Sequence, residues 1–264
     1  MEKSGLDSGA NSKWQETTKL PDSSTTIINW RQAAGEAFFL LIGVLLALLA
    51  QAWWEHRVES NTVQEYADNL LVEVHANIHD LEEQVRRHND KVTSGAELLR
   101  LLQIDDLGSS EERVRAVLTK MIFIDDFRPA TSALDNLLGA GGLGLLDNTD
   151  LQLAISQYGQ SLHNHNTLQD ELLELFFGTF IPFLSERISL LNVPFVNEQL
   201  REQLPDSDFH FDPSILANSM QFENLVIRRV SAEYDAARFA ENLIESANAL
   251  VVHLEKMESG ESTP

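Results

Sequence analysis

The sequence predicts an all-α protein: one transmembrane helix followed by an elongated helical-bundle ectodomain. Three observations carry this expectation. Ala37 to Ala50 (AFFLLIGVLLALLA) is uncharged and strongly apolar. Beyond it, apolar residues recur at spacings of three, four and seven, the period of one helical face. Finally, proline is absent from Ile28 to Phe127, so nothing breaks a long helix there. The chain has 264 residues and no cysteine. Disulfides, thiol chemistry and cysteine metal sites are therefore excluded, and some 200 residues beyond the apolar run must be held by ordinary packing. That length suffices for one substantial core or two small ones.

Residues 1–26 are rich in Ser, Thr, Lys, Asp and Gly without periodicity, which predicts a disordered head. Residues 27–54 form the anchor segment. Its apolar stretch, extended by the flanks Ala33 to Gly35 and Gln51 to Trp54, is interrupted only by Glu36 and Gln51. As a helix these 22 residues reach about 33 Å, enough for a hydrocarbon core of about 30 Å. Trp30 on one side and Trp53 and Trp54 on the other suit the two lipid–water interfaces. A cleaved secretory signal is the competing reading, but it requires a basic start near Met1 and a small-residue cleavage site, and here the apolar core begins near residue 37. Within the span, Glu36 stands near the end, where it reaches headgroup water or pairs with a basic group of a partner. Gly43 and Ala47 make a small-xxx-small step that permits close helix contact.

Lys19 and Arg31 precede the span and Arg57 alone closely follows it, which favours a cytoplasmic amino terminus, with the tail facing the periplasm or the cell exterior. Residues 55–264 hold 36 acidic and 15 basic side chains, most of the net charge of −22. Such a surface repels phosphates and argues against nucleic acid as a partner. The expected partners are the lipid bilayer and either a second copy or another membrane protein.

The ectodomain is expected to cover 55–257, with a polar tail at 258–264. A helix is predicted over 56–103, with Val58, Val63, Tyr66 or Ala67, Leu70, Val74, Ile78, Leu81, Val85 and Val92 forming its apolar stripe. The stripe serves equally for a coiled coil with a second copy or for an intramolecular bundle. Leu107 to Ser110 ends this helix, and Ser110 with Glu111 and Glu112 starts the next, about 111–125. Pro129 opens a short helix to about Leu138, and the glycines of Gly139 to Gly144 end it. They lack the preceding strand and the Lys-Ser/Thr of a phosphate loop, so they predict a turn. Asp147 to Asp150 offer caps for a helix through Leu151, Ile155, Tyr158 and Leu162. Leu168 to Leu191 resembles a second crossing, but its uncharged core, Leu175 to Ser185, has only 11 residues and suits a buried helix. After a proline-rich connection, Asp212-Pro213 caps a last helix, about 214–257, whose inward residues are expected to include Met220, Val230 and Tyr234.

One arrangement of side chains has the look of a site. His75, His79 and Glu82 fall at i, i+4 and i+7 on one face, a spacing able to hold Zn²⁺, with His163 and His165 available to complete a four-ligand set. The zincin pattern is missing, because no Glu stands beside the first His, and exposed or structural histidines are the plainer reading. The pairs Glu82-Glu83, Asp105-Asp106, Glu111-Glu112 and Asp125-Asp126 are undiagnostic in so acidic a chain, although Asp125-Asp126 marks the meeting point of two helices. No catalytic residue and no cofactor follow from these motifs.

The stretch Trp30 to Arg57 resembles the amino-terminal signature of a group of uncharacterised bacterial single-pass membrane proteins. The likeness falls on Gly35, Glu36, Gly43, Val44, Leu45, Ala47, Leu48, Trp54, Glu55 and Arg57. A looser likeness covers Phe127 to Leu153. Ala52-Trp53 departs from the group, where Asn or Asp often adjoins the tryptophan. The resemblance implies a bacterial membrane anchor and supplies no catalytic residue. The expected function is therefore a non-catalytic, membrane-anchored scaffold, accessory or assembly protein of the envelope. A sensory or small-ligand-binding bundle acting through a partner is the alternative, and a metal-dependent enzyme a more distant one.

Overall fold

The protein is described by a computed structural model over residues 30–104, 108–139, 141–146, 148–193, 195 and 198–259, with side chains from residue 38 except 55, 56, 59–61, 109 and 198. The expected head and most of the short tail, the side chains of Trp30 and Glu36, and the pair Asp105-Asp106 lie outside this description. The described residues are helical with turns and no strand. The all-α expectation is met.

The chain divides after Glu55 into two units. In the first, every position from Phe38 to Trp54 is exposed, including Phe39 at 75% and Leu40 at 71%. Gly43 and Ala47 belong to this exposed run, and a Cβ added at Gly43 would meet nothing within 4 Å. Among the described residues no helix is long and apolar enough to cross a membrane. The described apolar run has 17 residues, about 26 Å of helix against a core of about 30 Å.

In the second unit, two long helices and the part of a third from His56 onward carry the core. Helix α1 is Trp30–Leu101, α4 is Thr149–Leu175 and α8 is Met220–Glu258. The buried line of α1 runs Val63, Ala67, Leu70, Val74, Asn77, Leu81, Gln84, His88, Lys91, Gly95, Leu98 and Leu101, alternating steps of four and three almost throughout. That average of 3.5 residues keeps one seam facing its neighbours along the helix. Matching lines occur on α4 (Leu151, Ile155, Tyr158, Leu162, His165, Gln169, Leu172) and on α8 (Phe222, Val226, Arg229, Glu233, Ala236, Ala240, Leu243, Ala247, Leu250, Leu254). The stripe expected from apolar residues alone drifts off this line. Ile78, Val85 and Val92 are only half-buried, Met220 and Tyr234 are exposed, and polar residues take the inner positions.

The apolar interior forms two clusters. One joins α1 from Val63 through Leu81 to the first half of α4 and the second half of α8. The other joins Leu98 and Leu101 to α2 (Glu111–Met121), the Phe176–Leu184 region and the start of α8. Burial of the Leu168 to Leu191 stretch comes from this second cluster. Phe176, Phe180 and Phe183 pack there, the last stacked on Phe222 with ring centroids 5.7 Å apart. Pro182 lacks an N–H and its ring would collide with the carbonyl of Gly178 in a regular helix, and the chain widens into a π-turn, Phe176–Phe180, before α5 (Ile181–Ser185). At Gly95 a Cβ would stand 2.2 Å from Val230 Cγ2, so glycine is what lets α1 and α8 cross closely there.

Smaller elements follow capping chemistry. Residues 123–131 are neither helix nor strand, so α2 ends four residues earlier than expected, and α3 begins at Ser132 (Ser132–Gly139) rather than at Pro129. The reason lies across the bundle. Glu73 of α1 accepts the N–H groups of Ala133 at 2.7 Å and Leu134 at 3.3 Å, supplying a carboxylate to the start of α3. Asn77, one turn further along α1, donates to Ala130 O at 2.8 Å and to Tyr158 Oη at 2.9 Å and accepts from Ala130 N at 2.8 Å. Asn77→Ala breaks all three and is expected to cost about 1–3 kcal/mol, read as a lower urea midpoint with unchanged helix content.

The glycine cluster is a turn, with Gly141 at φ +69° in the left-handed region that favours glycine. Asn148 caps α4 by accepting from Asp150 N and Leu151 N. A four-residue helix, α6 (Glu198–Arg201), stands in the proline-rich connection. Asp212 accepts from Ser214 N at 2.9 Å, but the helix it starts, α7 (Ser214–Ala217), is short, because Ser219 caps α8 afresh by accepting from Phe222 N.

Candidate functional site

Between the two apolar clusters lies a layer of polar side chains. It contains Gln84, His88 and Lys91 of α1, His165 and Gln169 of α4, and Arg229 and Glu233 of α8, all buried to at least nine-tenths. Each is placed by the same four-three spacing that buries leucine and alanine elsewhere on its helix, so the layer follows directly from the packing register.

Glu233 is its hub. Its Oε2 accepts from His88 Nδ1 in a very short contact, which assigns that ring proton to Nδ1 because an ionised carboxylate only accepts. Its Oε1 forms an ion pair with Arg229 Nη2 at 2.5 Å that lacks hydrogen-bond direction. Arg229 Nη2 donates to the carbonyl of Phe123 at 3.2 Å, and the guanidinium lies over the Phe176 ring, 4.9 Å from its centroid. Burial by itself pushes the Glu233 carboxyl up, but the His88 hydrogen bond and the charges of Arg229 and Lys91 outweigh it and hold the group below the usual carboxylate range. Burial likewise pulls the Arg229 guanidinium below its ordinary value, opposed by Glu233 and Asp125.

Lys91 donates to Asp125 Oδ2 at 2.7 Å at the partly exposed margin of the layer, with Arg87 Nε 3.8 Å from the same oxygen. Burial raises the Asp125 carboxyl, and Lys91 and Arg87 more than offset that, so it stays ionised below its ordinary value. Asp126 instead pairs on the surface with Arg128 at 3.1 Å. The two adjacent aspartates therefore have different surroundings and share no site.

Many polar atoms of the layer have no partner: Gln84 Oε1 and Nε2, Gln169 Oε1 and Nε2, His88 Nε2, His165 Nε2, and Arg229 Nε and Nη1. A buried polar atom without a partner costs about 1–3 kcal/mol, and native proteins contain few of them. Their concentration in one layer distinguishes it from the rest of the bundle.

The histidine face weighed as a metal site against exposed or structural histidines is elsewhere. His75, His79 and Glu82 are exposed, His75 and Glu82 one residue and His79 two residues past the buried positions 74, 81 and 77, and His163 is exposed while His165 points into the layer. Among the described residues no three His, Asp or Glu side chains are grouped to hold a metal ion. Glu83 pairs with Arg86 and Arg87, and Glu111 with Arg115, so these acidic residues serve surface ion pairs. Tracking apolar residues alone missed the layer. Extending the four-three register from Leu70 and Leu81 onward would have reached Gln84, His88 and Lys91.

His165 gives the layer a pH dependence. Burial, then the nearby charge of His88, pulls its imidazole down to about 4, with Phe127 opposing and Arg128 adding to the fall. An unfolded histidine titrates near 6.5, so between these values the unfolded chain binds more protons and folding weakens as pH falls. The loss is expected to total about 3 kcal/mol from pH 6.5 to pH 4. The contributions of Glu233 and Asp125 are complete above their unfolded values and fade only at still lower pH, through their depressed folded values. Urea midpoints across this range check the slope, and His165→Asn flattens the portion above pH 4 while leaving the steeper acid limb.

No family model, curated protein or solved structure matches the chain.

Proposed function

We propose that this is a non-catalytic bacterial envelope protein, anchored by a single membrane-spanning helix with its amino terminus in the cytoplasm and its acidic bundle in the periplasm, where it acts as a scaffold, accessory or assembly subunit. The observation that carries this reading is the exposed apolar surface of Phe38 to Trp54. A helix apolar on every side needs an apolar surrounding, and exposed runs of this size are foreign to protein surfaces in water. The 22-residue anchor, completed by residues before Phe38, has the length to span, and Trp53 and Trp54, about two-thirds exposed, suit its interface. The likeness of Trp30 to Arg57 to bacterial single-pass proteins agrees with this placement. Association is supported by an apolar groove of about 330 Å³ on the bundle, lined by Val92, Ala96 and Leu99 of α1 and Ile227, Val230 and Tyr234 of α8.

Membranes carrying the full-length protein, washed with alkaline carbonate and then dissolved in mild detergent for native mass spectrometry, test the reading. Retention in the washed membrane and a mass of a homo-oligomer or of a complex with another subunit are expected. Release by carbonate would overturn the anchor, and a bare monomer would overturn the scaffold.

A second reading, a small-ligand-binding or sensory bundle acting through a partner, is favoured by the polar layer. Buried, unpartnered donors and acceptors at the meeting of three helices are how bundles build ligand sites.

A further inference from the structure

Beside its buried line, α1 carries a second apolar line. One step past the buried positions 70, 77, 84, 91 and 98 stand Leu71, Ile78, Val85, Val92 and Leu99, all half-buried. Helix α8 repeats the pattern with Val230, Ala237, Ile244 and Val251, one step past positions 229, 236, 243 and 250. A buried line closes a bundle by itself, and the extra lines widen the apolar face along the seam of α1 and α8. The groove already described lies on this seam, where Gly95 meets Val230. It has a hollow and ridges. Ala96 is its smallest side chain, flanked by Val92 and Leu99, whereas Ile227 and Tyr234 stand out one heptad apart, 48% and 53% exposed.

Charge marks the same face. On the groove edge of α1, positions 71, 72 and 75 and their sevenfold repeats, Glu82 is the one acid from Leu71 to Gln103. The opposite edge, positions 73 and 76 with their repeats, holds Glu73, Asp80, Glu83, Asp90 and Glu97 against Arg87. Copies of a chain of net charge −22 repel each other, and the groove edge relieves that repulsion. The two helices run antiparallel, with Gly95 beside Val230 and Leu81 in one cluster with Leu243. At one end of the groove Arg100 of α1 is therefore level with Glu223 of α8. At the other, Glu82 and Arg86 stand within about a turn of Arg238 and Glu241. Among the described residues, neither Glu82 nor Arg238 has an ion-pair partner in its own chain.

We propose that a second copy of the chain docks on this face, with α8 of each copy seated against the α1 side of the other's groove. The proposal rests on the scaffold reading above and names the partner as the chain itself. A two-fold axis parallel to the helices makes the contact self-complementary and keeps the heights. Ile227 and Tyr234 of one copy then enter the hollow at Ala96 of the other, Arg100 meets Glu223 and Glu82 meets Arg238, each contact being made twice. Stable interfaces take about 20–30 residues a side, which the groove edges of both helices together supply. The same axis leaves the starts of both bundles, at His56, on one side, as two copies held in one membrane require.

The absence of cysteine gives a direct test, since Ala96→Cys and Ile227→Cys each leave a copy with one thiol. The two full-length variants, carrying tags of different size, are co-expressed, and their membranes are oxidised with copper phenanthroline before dissolution in dodecyl maltoside. A disulfide joining the two tags is expected, and none when Asp90→Cys, on the opposite edge, replaces Ala96→Cys. Native mass spectrometry of the unsubstituted chain is expected to give a homodimer. Ile227→Glu/Tyr234→Glu, at two half-exposed positions, is expected to keep its circular dichroism and to weaken dimerisation at least about hundredfold. A dimer unchanged by this double variant, or a homodimer without the disulfide between copies, would overturn the docking face and leave the scaffold reading standing. A single copy bound to a foreign subunit would do the same, whereas a bare monomer removes both.

Discussion

Glu233→Ala is expected to lower the stability of the bundle by about 3–5 kcal/mol, a fall in melting temperature of about 6–20 °C. The cost comes from what the substitution leaves behind. Arg229 is fully buried and would keep only the carbonyl of Phe123 and the face of Phe176, while His88 Nδ1–H would lose its acceptor. An uncompensated buried cation is far worse than the loss of one favourable contact. The companion variant Arg229→Met/Glu233→Leu removes both charges in similar volumes and is expected to recover most of the loss, because apolar replacements of buried pairs are often neutral or stabilising. Thermal and urea unfolding of the three chains measure this directly. A single variant costing under about 1 kcal/mol would show that Arg229 finds another partner, and a double variant as weak as the single one would show that the polar groups are needed for the packing geometry itself.

The second large effect is on partitioning. Val44→Asp/Leu48→Asp places two carboxylates on one face near the middle of the anchor, where each costs about 2.5–3.5 kcal/mol on insertion scales. Together they oppose insertion by about 5–7 kcal/mol, a change in partition of several thousandfold or more. The variant is expected to leave the carbonate-washed membrane while the unit from His56 onward keeps its unfolding transition, since both positions belong to the first unit. Retention of the variant in the washed membrane would place the attachment elsewhere in the chain. Losing the bundle transition together with membrane retention would instead show that the apolar run belongs to the folded core.

These expectations rest on features of different legibility. Helix content and the principal breaks follow from local chemistry. The glycines around Gly141, Asn148 and Asp212 act through caps and backbone freedom within a few residues, and such signals are written in short stretches of sequence. Where a partner across the bundle intervenes, local reading falls short. The start of α3 moves to Ser132 because Glu73 and Asn77, more than fifty residues away, bind the backbone there. Ser219 breaks the expected last helix because its cap competes with continuation from Ala217.

By itself, then, the sequence determined the all-α class, the apolar run from Ala37 to Ala50, the acidic balance and the glycine turn, all of which depend on composition or on neighbours in the chain. Only the tertiary structure decided which face of each long helix turns inward. His75 and His79, conspicuous in sequence, face solvent, and His88, His165, Arg229 and Glu233, scattered over three helices, share one buried layer. The physical reason is register. A step of one residue turns a helical side chain by about 100°, so the fit of three helices along a seam, rather than the chemistry of any single residue, selects which polar groups meet in the interior.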